Sequence, residues 1–209
     1  MSGTFGKSSH RMPEQDALAL LHAARGERDV VVTTMSTARD WMTLPQSPLD
    51  LVFVPSAMSH ATSVGLGLAL AQPNRRVIVA NGDGSMLMNL GSLVSIAAAG
   101  APNMVVVLFD NGVYEVTGAQ LTAGSRGVDF GAIAKGAGFT SVFQFDTLSA
   151  WRRDIHKTLN AAGPGFVWLS VEPVSGIPGP RSPGPARDRA KRLKDALNAD
   201  SAPATFNIE

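Results

Sequence analysis

The chain has 209 residues with 18 Lys and Arg against 17 Asp and Glu, a net charge of +1 that points to neither a nucleic acid nor a membrane surface as partner. A composition of 44% hydrophobic and 17% charged residues excludes disorder and suits one large domain or two small ones, burying on the order of 70% of the unfolded surface. The absence of cysteine excludes disulfides, thiolate nucleophiles, zinc-thiolate sites and iron–sulfur clusters together. Residues 1–12 lack the apolar run of a signal peptide and read as a flexible N-terminus, and no apolar stretch is long enough to span a bilayer, so the expected location is the cytoplasm.

From Pro13 two acids precede apolar residues at helical spacing, which predicts a helix over 13–25, followed by a β-branched strand at Val30–Val32. A strand is expected around Leu51–Val54, a helix over Ala61–Ala71, a strand at Val77–Ala80, one helix from Met86 to Ala99 and a strand at Met104–Phe109. Further on come a helix near Phe130–Ala137, a strand near Thr140–Phe145, a helix over Leu148–Ala161 and a strand at Phe166–Val171. The strands VIVA, MVVVLF and FVWLSV are continuous apolar runs, the pattern of a parallel sheet covered on both faces. The predicted class is α/β with a doubly wound parallel sheet, occupying residues 13–172 as one domain. Residues 173–185 hold five Pro and three Gly and read as a linker. Over 186–209 a basic helix, with Ala186, Ala190, Leu193 and Leu197 on one face, and a tail are expected, the helix docking on a neighbour.

Several motifs fail. Gly6-Lys7-Ser8 lacks the remaining glycine and the preceding strand of a phosphate loop. Gly65-Leu66-Gly67 lacks the third glycine of a dinucleotide fingerprint and lies in a helix, where small residues serve close packing; a nicotinamide oxidoreductase is accordingly disfavoured. His10, His22, His60 and His156 show no metal-ligand spacing, and no Gly-x-Ser-x-Gly elbow is present.

One constellation survives. The strand at Val77–Ala80 runs into Asn81-Gly82-Asp83-Gly84-Ser85 and then into a helix, a turn at the carboxyl edge of the sheet. Glycines beside a carboxylate let the backbone approach a bulky anion, Ser85 is placed to cap the helix, and the helix start offers oriented N–H groups. An aspartate there repels a phosphate unless a divalent cation bridges the two, so Asp83 predicts Mg²⁺ or Ca²⁺ held by hard oxygens. The next strand ends in Asp110-Asn111-Gly112-Val113-Tyr114, where Asn111 offers an amide oxygen and the turn a backbone carbonyl. The two turns should face one crevice.

Gly82-Asp83-Gly84-Ser85, with Asp110-Asn111 following after residues 85–109, resembles the thiamin-diphosphate signature. The surrounding segments GDGSMLMNLGSLVSIAAAGAPN and DNGVYEVTGAQLT resemble the β subunits of sulfopyruvate decarboxylases and, somewhat less, the carboxyl-terminal half of phosphonopyruvate decarboxylases, over most of residues 13–172. The resemblance implies a thiamin-diphosphate-binding fold in which Asp83, Asn111 and the Val113 carbonyl ligate Mg²⁺. It also implies that Gly82, Gly84, Ser85 and Tyr114 belong to the cofactor-binding set, with Ser36 and Thr37, in the segment Thr34–Arg39, donating to the diphosphate. Met58 is the implied apolar wedge that bends the cofactor, and the Ser56 carbonyl accepts from its exocyclic amine. Met35, Ser56, Ser59 and Ala119 depart from the family pattern, and Met35 stands where the family has glycine.

The same resemblance implies a decarboxylase subunit acting on a small 2-oxo acid. The glutamate that activates the cofactor's pyrimidine ring resides in these enzymes on a separate pyrimidine-binding domain, and no such domain is found here. A partner α subunit carrying it is therefore expected, in an α2β2 or larger assembly. His60 and Glu115 are the candidate catalytic groups, as proton donors or substrate contacts, and Arg39 is a candidate for an anionic substrate group. The alternatives are a carboligase or phosphonopyruvate-type subunit and a non-catalytic cofactor-binding module.

Overall fold

A computed structural model describes residues 10–53, 58–174 and 180–199. Chain order is α1 (Glu14–Ala24), β1 (Val30–Thr34), α2 (Met35–Trp41), β2 (Asp50–Phe53), α3 (Ala61–Ala71), β3 (Val77–Gly82), α4 (Asp83–Leu87), α5 (Gly91–Ala99) and β4 (Met104–Asp110). A small antiparallel pair follows, β5 (Val113–Tyr114) and β6 (Gln120–Leu121), then α6 (Phe130–Ala137), β7 (Ser141–Phe145), α7 (Leu148–Leu159), β8 (Gly165–Ser170) and α8 (Ala186–Ala199). Six strands pair in the order β2-β1-β3-β4-β8-β7, every pair parallel. This is the doubly wound sheet that the apolar runs predict.

Successive side chains of a strand point to opposite faces, so each buried strand feeds two cores. Val105, Val107 and Phe109 of β4 pack into a cluster with Leu18, Trp41 and Trp151, from α1, α2 and α7. Met104, Val106 and Leu108 pack into the other, with Ala61, Leu93, Phe130 and Leu193 from α3, α5, α6 and α8. Of the three core tryptophans, two have satisfied indole nitrogens, Trp151 donating to the Ala17 carbonyl at 3.1 Å and Trp168 to Asp110 Oδ2 at 3.1 Å, whereas Trp41 Nε1 has no partner among the described residues.

Three local departures from the sequence reading have physical causes. Residues 35–41 form a helix, α2, which starts directly at the end of β1 and whose Ser and Thr give no helical signal. The single helix expected from Met86 is two: α4 begins at Asp83, ends at Leu87, and turns through Met88–Leu90 into α5. Asn89, in that turn, donates its side-chain amide to the Ser59 carbonyl at 2.9 Å. Met12, read as part of the flexible terminus, is buried, and its backbone bonds to Ser170 and Glu172 carry the chain alongside Val171. The C-terminal helix docks on this chain's own edge strand, where Leu193 and Leu197 are buried and Arg189 donates to the Val52 carbonyl.

Candidate cofactor site

The chain passes from β1 to β2 on one side of the sheet and then returns to lay β3 on the other side of β1. At such a reversal the loops leaving two neighbouring strands diverge and open a crevice at their carboxyl ends. A cavity of about 280 Å³ lies there. Met35 and Ser36 reach it from the end of β1, Gly82–Ser85 from β3, and Asn111, Val113 and Tyr114 from β4, with Met58 and Met88 completing the wall.

Asp83 is 1% exposed, and its Oδ2 accepts a 2.7 Å hydrogen bond from the buried Thr122 hydroxyl. Asn111 Oδ1 accepts from the Val113 N–H at 2.9 Å, closing an Asx turn through Gly112 at φ +77°. Arg11 donates to the Asn111 carbonyl from outside the turn. A Cβ on Gly84 would lie 2.6 Å from the Tyr114 ring, so glycine there lets the two turns meet, whereas a Cβ on Gly82 would meet nothing within 4 Å. A buried carboxylate and an amide oxygen thus share one cavity beside backbone that leaves room for a bulky group.

Residues 29–169 match the family described as thiamine pyrophosphate enzyme, C-terminal TPP binding domain. The chain belongs to this family. It is 38% identical over 148 residues to sulfopyruvate decarboxylase subunit beta of Methanothermobacter thermautotrophicus, covering 70% of this chain and 76% of that one. It is 40% identical over 146 residues to phosphonopyruvate decarboxylase of Streptomyces hygroscopicus, covering 70% of this chain and 36% of that one. The sulfopyruvate decarboxylase of Methanosarcina acetivorans aligns at 30% over 93% of this chain and 50% of its own length. A solved structure from Mycobacterium smegmatis, described as a thiamin diphosphate-dependent enzyme, superposes with a TM-score of 0.67 at 21% identity, over 83% of this chain and 34% of that one, and agrees on the fold.

The donor set fits the thiamin-diphosphate family. Asp83 and Asn111 place hard-oxygen side chains of the kind a divalent cation takes in this one cavity, and the space over Gly82 is open. Among the described residues no cluster of three or more His, Cys, Asp or Glu offers a metal site of its own. Met58 is 43% exposed and lines the cavity, so it is not core filler. Two bonds hold its segment against α4 and the turn that follows it: the Ser59 N–H donates to Ser85 Oγ at 2.9 Å, and Asn89 donates to the Ser59 carbonyl. Ser85 therefore accepts from Ser59 instead of capping the helix, which begins at Asp83 without a side-chain cap.

The departures from the family pattern keep an unusual backbone. The three non-glycine residues with positive φ among the described residues are Met35 at 60°, Ser59 at 70° and Ala119 at 59°, each one of those departures. A residue with a Cβ costs about 1–2 kcal/mol in this region, so the left-handed turns persist against strain. Ser56 lies outside the described residues.

Other expected site residues sit elsewhere. Thr37 is buried behind the wall and donates to Glu14 Oε1 at 3.4 Å. His60 is exposed, its Nδ1 within 2.9 Å of the Met58 carbonyl and 3.1 Å of Ser59 Oγ, and it does not line the cavity; neither does Arg39. Glu115 does line it, but Oε1 accepts from the Val174 N–H at 2.6 Å. The sequence reading missed Thr122, Met88, Val116 and Thr117, which no motif marks. Glu14, read in the sequence only as an acid at a helix start, is buried behind the wall and does not line the cavity. Burial pushes the Glu14 carboxyl well above the ordinary range, with Glu115 and Asp40 adding repulsion and Asn111 and Thr37 opposing it.

Proposed function

We propose that the chain is the diphosphate-binding subunit of a thiamin-diphosphate- and Mg²⁺-dependent 2-oxo acid decarboxylase of the sulfopyruvate type, completed by a separate pyrimidine-domain chain. The observation that carries this reading is Asp83 and Asn111 in one cavity at the sheet's reversal point, in a chain covering 76% of a relative named as a subunit. The same decarboxylase name belongs to a protein of which this chain covers only 50%. A further stretch of polypeptide thus accompanies the domain in that relative, and the subunit name of the Methanothermobacter protein supports placing its counterpart on a second chain.

Bound thiamin diphosphate supplies the electron sink that lets the bond to a departing carboxylate break. Asp83 and Asn111, with the Val113 carbonyl, would hold Mg²⁺ beside the diphosphate, and Thr122 fixes Asp83 by donating to one carboxylate oxygen. Met58, supported through Ser59, would present an apolar surface to the cofactor's rings, and Met35, Met88, Val113 and Val116, which line the same cavity, would keep water from them.

Calorimetric titration of thiamin diphosphate with Mg²⁺ into the assembled protein tests the assignment. Asp83→Ala is expected to abolish Mg²⁺-dependent binding, and unchanged affinity in that variant removes Asp83 from the site.

A further inference from the structure

Mg²⁺ tolerates little error in the placement of its oxygens, yet the turn that offers Asn111 and Val113 is built on a glycine. Gly112 sits at φ +77°, a conformation that most side chains avoid, and glycine populates the opposite sign about as readily. The residue that makes the turn possible therefore does nothing to keep it in one form. Other groups must fix the peptide units on either side.

Among the described residues three bonds do so. The Val113 N–H donates to Asn111 Oδ1 at 2.9 Å, and the Gly112 carbonyl accepts from the Thr122 N–H at 2.9 Å. The third comes from the start of the chain: Arg11 Nη1 donates to the Asn111 carbonyl and, at 3.3 Å, to the Val171 carbonyl. Asp110 and Val171 are neighbours at the ends of β4 and β8, where the Val171 N–H donates to the Asp110 carbonyl at 3.0 Å. One guanidinium thus spans both strand ends beside the turn, as its planar fork of donors permits. It also lies against Gly112, where a Cβ would sit 3.3 Å from Arg11 Nη2.

Arg11 is itself placed by its neighbour. Met12 is 2% exposed, its N–H donates to the Ser170 carbonyl at 3.0 Å, and its carbonyl accepts from the Glu172 N–H at 2.9 Å. Arg11 and Met12, expected to belong to a flexible terminus, form a short strap across the strand ends instead. Because a peptide unit is planar and trans, rotating the one between Asn111 and Gly112 would break the Arg11 bond and carry the Asn111 carbonyl to the other side of the turn.

We propose that Arg11 is a positioning residue for the cofactor site: by holding the Asn111 carbonyl on the outer side of the turn, it keeps Asn111 Oδ1 and the Val113 carbonyl in the one arrangement that receives Mg²⁺. This rests on the proposed function. Arg11 does not line the cavity, so it acts through the turn and not by contact with the anion. Without it the turn samples more than one peptide orientation and the metal has to select among them, which weakens Mg²⁺ binding while every ligand is still present.

The test is a Mg²⁺ titration at fixed thiamin diphosphate, read by calorimetry on the assembled protein, together with amide hydrogen exchange on the full-length chain without cofactor. Arg11→Ala is expected to raise the Mg²⁺ midpoint at least tenfold and to leave the saturated level of cofactor binding intact. Millimolar guanidinium ion should recover part of that shift, and Arg11→Lys should fall between Arg11→Ala and wild type. Exchange at Val113 and Thr122, whose N–H groups close the turn, should quicken at least tenfold in Arg11→Ala, with β3 and residues 105–108 of β4 unchanged. A Mg²⁺ midpoint within twofold of wild type overturns the proposal and leaves the functional reading standing. Loss of protection spread throughout β4 also overturns it, since Arg11 is then a clamp on the strands and not on the turn. If Arg11→Ala does not fold, Arg11→Lys carries the same comparison. If wild type binds no thiamin diphosphate at any Mg²⁺ concentration, the functional reading fails and the proposal falls with it.

Discussion

Thr122 shows how a residue without a motif enters a site. It is buried, and its hydroxyl is the 2.7 Å donor to Asp83 Oδ2. A hydrogen bond to a charged group contributes about 1.5–3 kcal/mol. Thr122→Val is therefore expected to lower Mg²⁺-dependent cofactor affinity by about ten- to a hundredfold, with Thr122→Ser restoring it, as read by calorimetry. Asp40 illustrates a second residue-scale effect. Burial raises its carboxyl to about 6, with Glu115 adding to the rise and Gln15 and Arg39 opposing it. An unfolded aspartate titrates near ~3.9, so between that value and 6 the folded chain binds more protons than the unfolded one, and stability falls as pH rises through this window. Asp40→Asn should remove that loss: its melting temperature should gain on wild type at pH 7.5 and the gain should shrink at pH 4.5. Glu14, raised in the same sense, keeps part of the slope in both proteins.

Elements were legible where one signal dominated. The apolar runs of β3, β4 and β8 mark buried parallel strands, and the expected ranges of α3 and α6 coincide with the observed helices. Legibility failed where tertiary contacts decide. The break between α4 and α5 is a place where Asn89 turns to hold Ser59, a partner thirty positions away that local pattern does not reveal. The Gly82–Ser85 and Asn111–Val113 turns could be read as facing one cavity because both follow adjacent parallel strands, but the burial of Thr37 against Glu14 could not. The C-terminal helix was read correctly as amphipathic, and its apolar face lies over β2. Leu193 is 5% exposed, and Leu193→Ala is expected to cost about 2–4 kcal/mol, measurable as a lower midpoint in urea unfolding.

At the scale of the whole molecule, two apolar cores enclose the sheet from both faces, which suffices for independent folding. The purified chain is expected to unfold cooperatively and yet to turn over no 2-oxo acid until the second polypeptide is added. Turnover by the isolated chain at the rate of the partnered preparation, followed as carbon dioxide release, would show that the site is complete without it.

Met58 and Met88 line the cavity and are also exposed at its rim, at 43% and 51%. In the proposed assembly a cofactor on one side and a second chain on the other would share these atoms, and their binding equilibria would form a thermodynamic cycle. Whatever factor the second chain adds to the affinity for cofactor, cofactor must return to the affinity for the second chain. Scarcity of thiamin diphosphate would then be read out as dissociation, making the vitamin a control on how much of the complex exists as well as on how fast it works.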